Sequence, residues 1–324
     1  MMQDRFCRAR ISRFAAIAAS TFIVCAALQV ARAQSGTDNT VHSVERGIVF
    51  RNGVELVALT VTVEDARGRY VSSLNAEDFR VFEDGVPQQV QYFGGGEVPI
   101  DLLLMIDTSS SMYERIKVAQ AAASNFVRVI GPSDRASIMG FASNAQIVVP
   151  FTGEREVLEN AIQQLTARGN TALYNALYVA LKQFESLDPL TNEIRRRAIV
   201  LLSDGDDTTS LVSFDSLLEL ARRSGIAVYV ISFNPHGQPG DHVVDQGVYR
   251  MRVLARETGA ASLFPKTITD LDGVYQEIAR ELAHQYALAY VPATAAKRGQ
   301  FRKVAVTVDQ ADMRVRTRSG YIAE

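Results

Sequence analysis

Three short segments combine carboxylates and hydroxyls at spacings that suit a hard divalent cation. Asp107-Thr108-Ser109-Ser110-Ser111 sets an acid and two serines at alternate positions, Gly169-Asn170-Thr171 adds a threonine, and Asp204-Gly205 adds a second acid. Residues 107, 109 and 111 point to one side if the segment leaves its strand extended. The set Asp107, Ser109, Ser111, Thr171 and Asp204 supplies oxygen donors only, which favours Mg²⁺, Mn²⁺ or Ca²⁺ over zinc or copper. Taken alone, residues 108–111 would read as a helix cap, since Ser and Thr favour that position. The N-terminal end of a helix dipole is positive, so the attraction for a cation must come from the two carboxylates.

The elements that must position these residues are legible in the apolar pattern. Residues 100–106 form a near-continuous apolar run ending at Asp107, as expected of a strand buried on both faces of a parallel sheet. Residues 198–202 make a second such strand just before Asp204, and residues 226–233 a third. Met112, Ile116, Ala119, Ala123, Phe126 and Ile130 fall at helical spacing, and Gly131-Pro132 stops that helix. Strands at 136–142 and 146–151, a short strand at 262–264, and helices at 154–165, 171–184, 214–224, 249–258 and 268–284 complete the series. Strands alternating with helices predict an α/β fold with a doubly wound, mostly parallel sheet, Rossmann-like. Ligands of such sheets bind at the carboxyl ends of the strands, where all three segments are expected.

The flanks have a different texture. Val57, Leu59, Val61 and Val63 alternate with smaller or polar residues. Residues 65–68 read as a turn, residues 79–83 alternate, and Asp84-Gly85 makes a tight hairpin into residues 89–93. Gly94-Gly95-Gly96 reads as a flexible joint. Beyond Gln285, alternation returns at Tyr286, Leu288 and Tyr290, at Val304, Val306 and Val308, and at Met313, Val315 and Thr317 ahead of Gly320-Tyr321. Neither terminal segment has enough strands to bury a face alone, so residues 44–93 and 285–324 are expected to pair as one small β-sandwich. The organisation is then a signal peptide over 1–33, an N-terminal β segment and glycine linker over 34–96, the α/β domain over 97–284, and a C-terminal β segment over 285–324.

The first residues read as an address. Arg5, Arg8, Arg10 and Arg13 precede an apolar run at 14–30, and Ala31-Arg32-Ala33 is a small-x-small cleavage site. Phe22-Ile23-Val24 is too bulky for a lipobox at Cys25, and no adjacent arginine pair marks a twin-arginine signal. Export by the general secretory route is expected, to the periplasm, cell surface or medium, with no membrane span after cleavage. The alternative is an uncleaved anchor, since the run just reaches the lower limit for a spanning helix. Cleavage would remove five of the 34 basic and one of the 36 acidic residues, leaving a net charge of −6, no footprint for nucleic acid. It would also remove both cysteines, Cys7 and Cys25. Neither a disulfide nor a cysteine nucleophile is then available, and stability must come from a core or a bound metal.

Asp107-x-Ser109-x-Ser111 with Thr171 and Asp204 resembles the complete metal-ion-dependent adhesion site of von Willebrand factor A-type (VWA) domains, over about residues 97–284. The flanking Leu74-Asn75-Ala76-Glu77-Asp78-Phe79, Phe82-Glu83-Asp84-Gly85 and Gly320-Tyr321 resemble the secreted bacterial VWFA-related subfamily of acidobacterial type. The resemblance implies a non-catalytic site holding one divalent ion. The serines and threonine would touch the ion directly or through water, the aspartates would act partly through water, and one position would stay open for an Asp or Glu of a protein partner.

Other readings remain beside it. No G-x-S-x-G elbow, H-E-x-x-H, P-loop or dinucleotide glycine fingerprint is present. Mg²⁺-dependent phosphotransfer or hydrolysis is the enzymatic alternative, because Asp107 follows a buried strand, and an assembly module with a purely structural metal is a third class. An EF-hand starting at Asp204 would need Gly where Thr209 stands and Glu where Asp215 stands. Tyr113 and Tyr174 lie close to ligands, and each could serve a partner or pack locally. His284 is expected to favour the end of its helix. The long loop at 234–247, with His236, Asp241, His242 and Asp245, should emerge on the metal-bearing edge and help choose the partner.

Overall fold

The structure, a computed structural model, describes residues 56–187, 194–203, 207–233 and 246–323. The expected signal peptide therefore lies outside the described residues, as do Asp204 and all but the end of the 234–247 loop.

In chain order the elements are β1 (Val57–Glu64), β2 (Phe79–Glu83), β3 (Val86–Gln88), β4 (Val90–Gly94), β5 (Ile100–Asp107), α1 (Ile116–Val129), β6 (Arg135–Phe141) and β7 (Ala145–Thr152). They continue with α2 (Arg155–Gln164), α3 (Leu173–Gln183), β8 (Arg196–Ser203), α4 (Phe214–Ser224), β9 (Ala227–Ser232), α5 (Gln246–Glu257), β10 (Ser262–Leu263) and α6 (Leu271–His284). The last strands are β11 (Tyr286–Tyr290), β12 (Phe301–Val308), β13 (Arg314–Arg316) and β14 (Gly320–Ile322).

The central sheet has the order β10-β9-β8-β5-β6-β7, parallel except for the β6–β7 hairpin. Its strands are apolar on both faces because each face carries helices. Leu102, Leu104 and Ile106 share one core with Phe126 of α1, Leu158 of α2 and Tyr275 of α6. Leu103 and Met105 share the opposite core with Leu177 of α3, Leu217 of α4 and Leu254 of α5. The chain leaves β5 toward β6 on one side and returns to β8 on the other, so the β5–β8 boundary is the topological switch point. Local signals set the helix ends. Ser213 accepts from the Ser216 amide at the start of α4, and Gly225 ends that helix at φ 66°. Among the described residues no helix is long and apolar enough to cross a membrane.

The terminal segments build one sandwich of two four-stranded sheets, β13-β1-β11-β4 and β14-β12-β2-β3. β11 lies between β1 and β4, with Val57 opposite Tyr290 and Val61 opposite Tyr286, and β12 lies between β2 and β14. Leu59, Val61, Phe79, Val81, Tyr286, Leu288, Val304 and Val306 fill the space between the sheets. Each half thus supplies what the other lacks: a partner strand and an apolar face.

Two expectations need correction. The hairpin at Asp84-Gly85 forms, with φ values of 48° and 82°, but its second strand does not continue through residues 89–93. It breaks after Gln88, and β4 crosses to the opposite sheet, where pairing with β11 outweighs local continuity. The glycine triplet is not a flexible joint. Gly94 pairs with Ala287, and a Cβ on Gly96 would lie 2.0 Å from the Ala283 carbonyl oxygen. The buried Arg196 fastens this crossing by donating to the carbonyls of Val98 (2.9 Å), Gly96 (3.3 Å) and Leu282.

Candidate metal centre

Asp107 is the last residue of β5 and is fully buried. Its Oδ1 accepts from the Ser109 amide at 2.8 Å, and its Oδ2 accepts from the Ser203 hydroxyl at 2.6 Å. The first bond turns the chain sharply after the strand. The second joins the carboxyl ends of β5 and β8 across the switch point. Ser109 is 1% exposed and its Oγ lies 2.9 Å from Oγ of the exposed Ser111. Residues 107, 109 and 111 are therefore gathered, as their alternation predicts.

The serines are not helix caps. Residues 110–112 form a short 3-10 turn, α1 begins only at Ile116 after Arg115, and neither start has a side-chain cap. The helix therefore starts later than the periodicity from Met112 suggests, leaving the serine hydroxyls on a loop.

Backbone bonds bring the second segment alongside. Ser110 N donates to Gly169 O at 2.9 Å and Arg168 N to Thr108 O at 2.6 Å. Gly169 takes φ 84°, the left-handed region open to glycine, which lets the loop turn in beside Ser143. Thr171 follows, 5% exposed, two residues before α3 begins. Its amide donates to Thr208 Oγ1 at 3.2 Å, and its carbonyl accepts from the Thr208 amide at 2.9 Å. Thus the loops after β5, before α3 and after β8 are laced together at one edge. Of the five expected ligands, the structure brings Asp107, Ser109, Ser111 and Thr171 to this edge. Asp204, which directly follows β8, is outside the described residues.

Several residues at this edge carry no signal in the sequence. Ser203 orients the buried carboxylate, yet a serine ending an apolar strand looks ordinary until its neighbour strand is known. Asp207, one of the acidic residues after β8, accepts from the Tyr174 amide at 3.2 Å and so closes the start of α3. Tyr174 is buried against Phe214, ring centroids 5.8 Å apart, and its hydroxyl accepts from Arg250, so it packs locally. Tyr113 is exposed. His284 ends α6, 2.6 Å through Nδ1 from the Arg280 carbonyl, and stacks on Tyr70.

The donor chemistry fits a hard cation. The two serine hydroxyls lie within hydrogen-bond distance of each other, so both turn to the same side beside Asp107. Among the described residues no group of three or more His, Cys, Asp or Glu side chains is assembled for a metal, and the described donors are the hydroxyls of Ser109, Ser111 and Thr171 with the carboxylate of Asp107.

Residues 102–206 match the sequence model of the von Willebrand factor type A domain. The chain carries such a domain, and the doubly wound sheet with the Asp107 loop at its switch point is its fold. Relatives include a UPF0353 protein of Mycolicibacterium paratuberculosis, 26% identical over 202 residues covering 57% of this chain and 61% of that protein. A UPF0353 protein of Mycobacterium bovis is 25% identical over 205 residues, with the same coverage. The chain thus spans about 61% of the length of the curated relatives it matches. Among solved structures, a von Willebrand factor type A protein from Catenulispora acidiphila is 12% identical, covering 85% of this chain and 75% of that one at a TM-score of 0.49. An aerotolerance-related membrane protein from Bacteroides fragilis is 18% identical, covering 56% and 98% at 0.45.

Proposed function

We propose that this chain is an exported, non-catalytic binding protein of the secreted bacterial VWFA-related type. It would capture a carboxylate of a protein partner at one divalent-metal site. The observation that carries the reading is the Ser109–Ser111 hydroxyl pair, 2.9 Å apart beside the buried Asp107. Asp107, Ser109, Ser111, Thr171 and Asp204 would hold the ion, Mg²⁺ or else Mn²⁺ or Ca²⁺, the cations that an all-oxygen donor set suits. When bound, the ion supplies a positive centre that neutral hydroxyls leave only partly neutralised, which favours an outside Asp or Glu. The chain's own contribution is positional. Ser203 and the Ser109 amide hold the carboxylate of Asp107 in place, and Thr208 holds the backbone of Thr171.

Phosphotransfer fits this arrangement less well. A second carboxylate is expected beside a phosphoryl-accepting aspartate, whereas Thr108, Ser109 and Ser110 follow Asp107. The exported location rests on the leader at 1–33, and the subfamily on the flanking segments that form the sandwich. The test is capture of aspartate-bearing beads by the full chain in Mg²⁺ and in EDTA. Capture lost in EDTA and on Ser109→Ala supports the reading, and chelator-insensitive capture contradicts it.

A further inference from the structure

The two most exposed large apolar side chains among the described residues both belong to loops at the hydroxyl site. Leu211, 95% exposed, lies in the connection from β8 to α4, and Tyr113, 75% exposed, stands two residues beyond Ser111. Tyr249, also exposed, is in the first turn of α5, which follows β9 at the same edge. Exposed apolar residues scattered singly need no explanation. Here the two most exposed both stand on loops at one edge of the sheet, while Val129 and the less exposed valines lie singly on other elements.

The exposure of Leu211 is built in. Asn175 Oδ1 accepts from the amides of both Leu211 and Val212 at 3.0 Å, and the Asn175 amide donates to Ser210 Oγ at 3.0 Å. Val212 packs against the core. The backbone at Leu211 is thus fixed to α3 while its side chain stands in water, apolar area that folding leaves unburied. Arg168, exposed and one residue before Gly169, adds positive charge to the same group of loops.

We infer that this face takes a protein segment in which an Asp or Glu is flanked by bulky apolar side chains, and that Leu211 and Tyr113 determine that choice. The inference rests on carboxylate capture at the hydroxyl site. The acid meets that site, and the flanking side chains cover Tyr113, a residue type that interfaces favour at their centres, and the apolar area of Leu211. Arg168 complements the acidic character of such a segment.

The experiment uses the full chain and short capped peptides presented on streptavidin, centred on Leu-Asp-Phe, Ser-Asp-Ser or Leu-Asn-Phe. In Mg²⁺ the Leu-Asp-Phe probe should bind about tenfold more tightly than Ser-Asp-Ser, the gain expected from burying one large apolar side chain. Leu211→Ser and Tyr113→Ser should each shrink that preference while Mg²⁺ binding by calorimetry stays unchanged. Since the Leu211 side chain touches almost only solvent, L211S should melt like the wild type. Equal Mg²⁺-dependent binding of the two Asp probes overturns this inference and leaves carboxylate capture standing. Leu-Asn-Phe binding as well as Leu-Asp-Phe, or binding that survives EDTA, overturns carboxylate capture and the inference with it.

Discussion

The Ser203 hydroxyl donates to Asp107 Oδ2 at 2.6 Å, tying the ends of β8 and β5 together across the switch point of the sheet. Both residues are buried, so the bond orients the carboxylate where water cannot substitute freely. Ser203→Ala should cost about 1.5–3 kcal/mol in urea unfolding, the range for a hydrogen bond to a charged group. It should also weaken Mg²⁺ binding by about tenfold, as loss of an orienting partner does at metal sites. Unchanged metal affinity in a destabilised variant would assign Ser203 to stability alone.

The glycine crossing between sandwich and α/β domain gives a contrast between adjacent residues. A Cβ on Gly96 would run into the Ala283 carbonyl, while a Cβ on Gly95 meets nothing within 4 Å. Gly96→Ala should destabilise by about 2–3 kcal/mol, as overpacking does, and Gly95→Ala should be neutral or slightly stabilising. Equal effects in chemical denaturation would restore the flexible joint that the triplet suggests by composition.

Alkaline stability should follow the buried phenols. Burial, and then the charge of Glu281, hold the Tyr229 hydroxyl well above the ordinary phenol range; burial, and then the hydrogen bond to Glu83, do the same for Tyr290. The folded protein keeps protons that the unfolded chain releases near pH 10, so this stabilisation is complete below about pH 10 and is lost as pH rises beyond it. Urea midpoints should hold steady up to that point and then fall. Tyr290 donates to Glu83 Oε2 at 2.7 Å, so Tyr290→Phe should cost about 1.5–3 kcal/mol at neutral pH and flatten the alkaline fall. An equally steep fall in that variant would trace the transition to other groups.

What could be read from the sequence follows from the range of each interaction. The strands of the central sheet are legible because two covered faces remove the polar alternation, as in β5 and β8. The sandwich is legible because β1 and β12 alternate and neither segment can bury its face alone. Asp107, Ser109 and Ser111 are close in the chain, so spacing alone gathers them. Ser203 is not legible, because its role depends on β8 lying beside β5. The break after Gln88 is hidden for the same reason: β4 continues the local pattern, but its partner β11 lies far along the chain. Gly96 looks like a hinge residue because composition cannot reveal that the Ala283 carbonyl lies against it. Asp207 is not legible either, because its service to the Tyr174 amide depends on where α3 begins.

The most direct test is calorimetric titration of the full chain with Mg²⁺, wild type beside Asp107→Ala. One ion per wild-type chain is predicted, with binding weakened by at least about tenfold in a variant that still melts cooperatively. Equal binding by both proteins would contradict the assignment of Asp107, Ser109, Ser111, Thr171 and Asp204 as the metal centre.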